Sequence, residues 1–173
     1  LTKEGVGKVL DQLAENHDYI VCDSPAGIEA GAMMALYFAD IAIITTNPEV
    51  SSVRDSDRII GMLQSRSRRA EQALEPIKEH LLITRYVPER VERGDMLSVE
   101  NITEILAVPL AGVIPESSAV LKASNYGKPV ILDTESDAGQ AYADTVARIL
   151  GEEREFRFLD VEKKGFLSRI FGG

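Results

Sequence analysis

Short apolar runs alternate with stretches of helical period along this chain, an order that predicts a parallel sheet with covering helices. Runs at 19–22, 41–45, 81–84 and 110–114 read as strands; they are apolar or β-branched with little alternation, as in strands buried on both faces. Helices are predicted over 2–15, 27–38, 50–66, 99–107, 117–125 and 136–150. Thr2 and Ser98 start two of them as N-caps, because a short side-chain oxygen accepts from the unpaired N–H groups of a first turn. Residues 85–95 and 151–160 read as exposed loops. The expected fold class is α/β, part of a doubly wound, mostly parallel sheet with helices on both faces.

The pattern changes at the C-terminus. At 100° per residue Phe166, Leu167, Ile170 and Phe171 share one arc of a helix, and Ser168 and Arg169 lie opposite. Lys164 falls at the edge of the arc, and Lys163 fits one turn earlier if its stem snorkels its ammonium outward. Such a segment is too short to span a bilayer. It suits a helix lying in a membrane interface or a terminal helix docked on its own domain, and periodicity alone does not separate the two. The expected organisation is a body at 1–150, a linker at 151–159 and an amphipathic membrane-targeting helix at 160–173.

Composition narrows the class. With 173 residues and 45% hydrophobic content the chain is long and apolar enough for a substantial core. A net charge of −9 gives no support to general nucleic-acid binding, and the one basic cluster, Arg66, Arg68 and Arg69, is followed by acids and reads as a solvated helix end. The single cysteine, Cys22, excludes an intramolecular disulfide and a cysteine-based metal cage, which fits the cytosol. The chain opens on Leu1 instead of Met with a helical pattern at once, so a truncated part of a longer protein is expected.

In a sheet of this kind ligands bind beyond the carboxyl ends of the strands. Four such junctions stand out: Asp23 to Gly27, Thr46-Asn47-Pro48-Glu49, Thr84-Arg85-Tyr86 and Pro115-Glu116-Ser117. An acid at a strand tip can hold Mg²⁺ directly or through water, and a nearby glycine lets backbone N–H groups approach a phosphate. Taken alone, Asn47-Pro48 and Pro115 read as turn formers leading into helices. Gly5-Val6-Gly7-Lys8 resembles the end of a phosphate-binding loop, but Val9 follows where Ser or Thr is needed and no strand precedes it, so it belongs inside a helix. His17 and His80 lack metalloprotease spacing, and no order of Ser, His and Asp suggests a nucleophile elbow. Any catalysis therefore belongs to nucleotide chemistry.

Four stretches taken together, with the tail, carry a resemblance. They are Tyr19-Ile20-Val21-Cys22-Asp23-Ser24-Pro25-Ala26-Gly27-Ile28-Glu29, the run from Thr45 to Arg58, Arg93-Gly94-Asp95-Met96-Leu97-Ser98, and Gly112-Val113-Ile114-Pro115-Glu116. Their order resembles the C-terminal two-thirds or so of the deviant-Walker-A P-loop ATPases, in the branch of membrane-associated enzymes that place the bacterial division site. The resemblance implies ATP and Mg²⁺ as cofactors. Asp23 would match the Walker B aspartate that positions Mg²⁺ through water, and Gly27 a switch that senses the γ-phosphate. Thr84, Arg85, Pro115 and Glu116 would match the two loops enclosing the adenine; many relatives carry Asn where Thr84 stands. Glu49, Ser51, Arg54, Asp55 and Asp57 would match the surface that receives the division inhibitor MinC and the activator MinE. Lys163, Lys164, Phe166, Leu167, Arg169, Ile170 and Phe171 would bind anionic membrane lipids.

The family's phosphate-binding loop, with its lysines, and its switch I aspartate would precede the first residue, so this chain alone is expected not to hydrolyse ATP. The implied whole is a cytoplasmic ATPase, peripheral on the inner face of the cell membrane, that forms a homodimer with ATP and has no specific nucleic-acid partner. Two alternatives remain: a ParA-like partitioning ATPase, disfavoured by the charge and the apolar tail, and a non-catalytic binding module that uses the sheet as scaffold.

Overall fold

The computed structural model describes residues 2–24 and 30–160. The predicted tail helix and Gly27 lie outside the described residues. The described elements, in order, are α1 (Lys3–Ala14), α2 (Ala30–Tyr37), β1 (Ile41–Thr46), α3 (Val50–Arg66), α4 (Arg68–Glu71), β2 (Lys78–Tyr86), α5 (Pro88–Glu92), α6 (Val99–Leu106), β3 (Leu110–Pro115), α7 (Ser118–Asn125), a 3-10 turn (Val130–Leu132) and α8 (Asp137–Ile149). The strands form a sheet of order β1-β2-β3, in which β2 and β3 pair in parallel. Helices lie between successive strands in the chain, and the predicted α/β class is the observed one.

The capping logic holds locally. Thr2, Ser98, Ser117 and Ser136 each accept from a first-turn N–H of the helix they precede, on Gly5, Asn101, Ala119 and Gly139. Gly5, Gly7 and Lys8 lie inside α1, where Lys8 pairs with Glu4 at 2.8 Å, so the loop-like motif is helix interior.

Two predicted features differ. Residues 19–22 are not a strand: Tyr19 is 70% and Val21 91% exposed. A strand is defined by the ladder it makes, and no described strand pairs with this segment, so apolar composition alone does not make it one. In β1 burial alternates, with Ala42, Ile44 and Thr46 buried and Ile41, Ile43 and Thr45 exposed. One face of β1 is therefore exposed, whereas Leu81-Leu82-Ile83 and Ala111 to Ile114 are buried throughout as expected.

The chain divides into two compact units, one of residues 1–44 and 54–80, the other of residues 45–53 and 81–173. In the first, Ala42, Ile44, Ile60, Leu63 and Ile77 are buried. Around them Tyr37 and Phe38 meet edge to face at 4.9 Å, Lys3 sits 3.6 Å over the Tyr37 ring, and the Tyr37 hydroxyl donates to Glu71 at 2.7 Å. The Arg cluster is less solvated than its sequence suggests: Arg66 is exposed, but Arg69 holds Asp40 at 2.6 Å and Arg68 lies 5.4 Å over the Phe38 ring.

In the second unit Leu81, Ile83, Ile102 and Ile114 are among the most deeply buried side chains, and α8 packs along β3. The approach is set by Gly112: a Cβ there would sit 1.9 Å from Thr145 Oγ1. Residues 152–157 are exposed and without regular structure, as expected, and the stretch 152–158 is tethered to α8 as a strap. Arg148 donates to the carbonyls of Ala111 at 2.8 Å and Arg154 at 2.9 Å and to that of Glu155, and its guanidinium lies 3.9 Å over the Phe156 ring. Arg157 binds Asp144 at 2.8 Å and Gln140 at 2.7 Å, and Phe158 packs against the cluster of Leu82, Ile114, Ala138 and Ala141.

Candidate functional site

Three of the four predicted junctions meet at the carboxyl ends of the three strands, within the second unit. The pairing of β2 with β3 explains how. Ile83 faces Val113 and Tyr86 faces Pro115, so three steps along β2 match two along β3, leaving a one-residue bulge at Thr84-Arg85. Arg85 takes φ +59°, the left-handed region that non-glycine residues seldom occupy, and such backbone persists where the surroundings hold it. The bulge turns Arg85 out to solvent, where its Nη2 lies 3.3 Å from Glu116 Oε1. The Tyr86 carbonyl accepts from the Glu116 N–H at 2.9 Å, closing the pair of loops.

Thr84 reaches towards the end of β1. Its hydroxyl donates to Asn47 Oδ1 at 3.0 Å, with the Thr46 carbonyl at 3.5 Å. Asn47 itself is held by the turn into α3: Pro48 is buried, the Glu49 N–H donates to the Asn47 carbonyl at 2.8 Å, and the Pro48 carbonyl accepts from Leu97 at 3.1 Å. Thr84, Arg85, Pro115 and Glu116, predicted from separate places in the sequence, are thus one group, with Asn47 added. Burial pushes the Tyr86 phenol above its ordinary pKa, helped by Glu100 and by Asp160, whose charge at the end of the strap is felt at this strand tip.

Asp23 is exposed, in the first unit. It follows the segment that forms no strand, so no ladder fixes it at a strand tip. No group of three or more metal-ligating side chains occurs among the described residues. Glu49, Ser51, Arg54, Asp55 and Asp57 are all exposed at the start of α3, with Asp55 3.8 Å from Arg58. Their buried counterparts on the same helix are Val53, Ser56, Ile60 and Leu63, so the helix presents its polar arc outward. Sequence reasoning missed the Asn47–Thr84 contact, because Asn47 reads equally well as a turn former; its place at the tip of β1 was the available signal.

No family model matches the chain. The septum site-determining protein MinD of Escherichia coli K12 is 72% identical over 174 residues, an alignment covering 100% of this chain and 64% of that protein. The chain belongs to the MinD family. It spans just under two thirds of the length of that relative, 64%. Solved structures agree with MinD membership. MinD in the MinC:MinD cell division protein complex of Aquifex aeolicus superposes with a TM-score of 0.81 at 39% identity, over 92% of this chain and 63% of that one. The septum site-determining protein MinD of Pyrococcus horikoshii, solved as its Mg-ADP complex, gives 0.70 at 26% identity over 86% of this chain and 56% of that one. These neighbours give the chain its fold family, that of the MinD P-loop ATPases.

Proposed function

We propose that this chain is the C-terminal part of a MinD-type membrane-associated ATPase that positions the division septum. In this reading ATP binding closes a homodimer, the dimer binds the cytoplasmic face of the membrane and recruits MinC, and MinE stimulates hydrolysis and release. The observation that carries it is the 72% identity along the whole chain, and the grouping of Thr84, Arg85, Pro115 and Glu116 at the strand ends is consistent with it. The Aquifex complex, solved with MinC, and the Pyrococcus protein, solved with Mg-ADP, supply the precedent for that partner and that ligand.

The roles follow the chemistry of the residues. Arg85 and Glu116 lie together at the ends of β2 and β3, where a flat guanidinium and a neighbouring proline face would stack against an aromatic base. Asp23 would hold Mg²⁺ through water, and the ion would neutralise charge on the phosphates; Gly27 would sense the γ-phosphate. The exposed arc of α3, with Glu49, Ser51, Arg54, Asp55 and Asp57, would receive MinC and MinE, and its acids suit a basic partner. The linker at 151–159 and the helix at 160–173 would place Lys163, Lys164, Phe166, Leu167, Arg169, Ile170 and Phe171 on anionic lipid.

Membrane attachment then becomes a matter of valency. Partial burial of four large apolar side chains gives one tail on the order of a few kcal/mol after ordering costs, from roughly 1.5–3 kcal/mol per fully buried side chain. Two tails on one dimer gain avidity without any new contact. The test is Asp23→Asn in the intact protein, which removes one charge at nearly constant volume. Stimulated ATPase activity should fall at least about tenfold, the order expected for losing one metal-orienting group, with the fold intact. Undiminished turnover in a folded Asp23→Asn variant would refute the role given to Asp23.

A further inference from the structure

We propose that Asn47 sets the base preference of the strand-end site by committing the hydroxyl proton of Thr84, so that Thr84 offers a bound base an acceptor and no donor. The inference rests on the base-pocket reading above and adds to it a residue and a chemical selectivity. Its footing is the geometry at the end of β1, where Thr84 Oγ1 lies 3.0 Å from Asn47 Oδ1 and 3.5 Å from the Thr46 carbonyl.

A threonine hydroxyl carries one proton and two acceptor lone pairs. With Asn47 Oδ1 and the Thr46 carbonyl both on the β1 side, the proton turns towards β1 and a lone pair turns away from it. The amide of Asn47 is oriented with Oδ1 towards Thr84, and the Thr46 carbonyl, at 3.5 Å, is too distant to hold the proton strongly by itself. Asn47 is well placed for this because its backbone is fixed by the turn into α3, through the 2.8 Å bond from Glu49 and the buried Pro48.

A fixed acceptor discriminates between purines. A 6-aminopurine presents an exocyclic N–H₂ that donates to such an oxygen, whereas a 6-oxopurine presents a carbonyl whose lone pairs oppose it. Sites built around a hydrogen bond reject the analogue that leaves the partner unpaired more strongly than apolar sites reject a change of size. Free rotation of the Thr84 hydroxyl would remove the discrimination, since a rotating hydroxyl donates to one base and accepts from the other. Asn47 is therefore a positioning residue: it acts through Thr84.

The experiment measures dissociation constants of Mg²⁺-ATP and Mg²⁺-GTP for the intact protein and reads the ratio of the GTP constant to the ATP constant. Asn47→Ala should bring the ratio down by about tenfold, the order of one neutral hydrogen bond, by improving GTP binding relative to ATP. Asn47→Asp keeps an acceptor opposite Thr84 and should retain the wild-type ratio. Asn47→Ser, whose hydroxyl is too short to reach Thr84 but keeps a polar group at the turn, gives the same reading as the alanine variant should that one not fold. An unchanged ratio in folded Asn47→Ala and Asn47→Ser, with Thr84→Val losing ATP affinity, overturns the proposal and leaves the base pocket standing. If Thr84→Val and Arg85→Ala both bind Mg²⁺-ATP as the wild type does, the base pocket itself falls, and the role of Asn47 with it.

Discussion

Replacing Gly112 by alanine should be among the most damaging single-methyl changes in this protein. Gly112 lies inside β3, paired with Leu82, and a Cβ at that position would stand 1.9 Å from Oγ1 of Thr145 and 2.9 Å from both its Cβ and its Cγ2. Thr145 is 3% exposed and its hydroxyl donates to the Ala141 carbonyl at 2.7 Å. A β-branched side chain on a helix has few alternative rotamers, so it cannot swing clear without losing that bond. Either β3 and α8 separate or Thr145 is displaced. Overpacking of a well-filled core costs about 1–3 kcal/mol, and a displaced hydroxyl adds about 1 kcal/mol. With roughly 2–4 °C of melting temperature per kcal/mol in proteins of this size, the expected fall is about 5–10 °C. Thermal and urea unfolding of the intact protein measure it, with the urea slope unchanged. Thr145→Ala removes Oγ1 and Cγ2, so the Gly112→Ala/Thr145→Ala double variant should be more stable than the sum of the single changes predicts, by about 1 kcal/mol or more. A Gly112→Ala protein that melts with the wild type, or strictly additive effects in the cycle, would refute the contact-based reasoning.

Three further outcomes are expected. Phe166→Glu in the intact protein with ATP should abolish sedimentation with anionic liposomes while leaving the melting temperature nearly unchanged; a tail docked on the body would instead lose a few kcal/mol by burying a carboxylate. Changing Asp55 and Asp57 together to Asn should spare basal ATP turnover and weaken partner binding, and normal binding of both MinC and MinE would remove α3 from the account. The Tyr37 hydroxyl, and secondarily Lys3, holds the Glu71 carboxyl below its ordinary pKa, so this pair contributes stability above the ordinary carboxylate range that is lost as pH falls through the depressed value. Tyr37→Phe should raise the Glu71 midpoint in an NMR titration, and an unmoved midpoint would show that Tyr37 is not the cause.

Helix starts were the most legible part of the chain, because a cap is a local contract between one short oxygen and an N–H two or three residues on. Thr2 and Ser98 announce α1 and α6 without help from the rest of the fold. Strands depend on partners, which is why 81–84 and 110–114 extend into real ladders and 19–22, equally apolar, does not. The short α5 lies inside a stretch whose polar composition reads as loop, although Pro88 in its first turn is a start signal. At the site, the residue types at the strand ends pointed to Thr84, Arg85, Pro115 and Glu116. The bulge that turns Arg85 outward and the Asn47–Thr84 bond left no periodic trace, since each arises from how separate strands come into register.

The strap carries a lesson about which positions are free to drift. Arg148 grips residues 154 and 155 by their carbonyl oxygens, and every residue type has one. The side chains of Arg154 and Glu155 therefore carry no information for this contact, and homologous chains can exchange them while keeping the same grip. Arg148 has no such freedom: three carbonyls and an aromatic face call for a flat group with several divergent N–H bonds, which lysine does not possess. The variation tolerated at one end of the contact and the constancy demanded at the other come from the same geometry, so a family alignment that found position 148 variable and 154–155 fixed would be hard to reconcile with this structure.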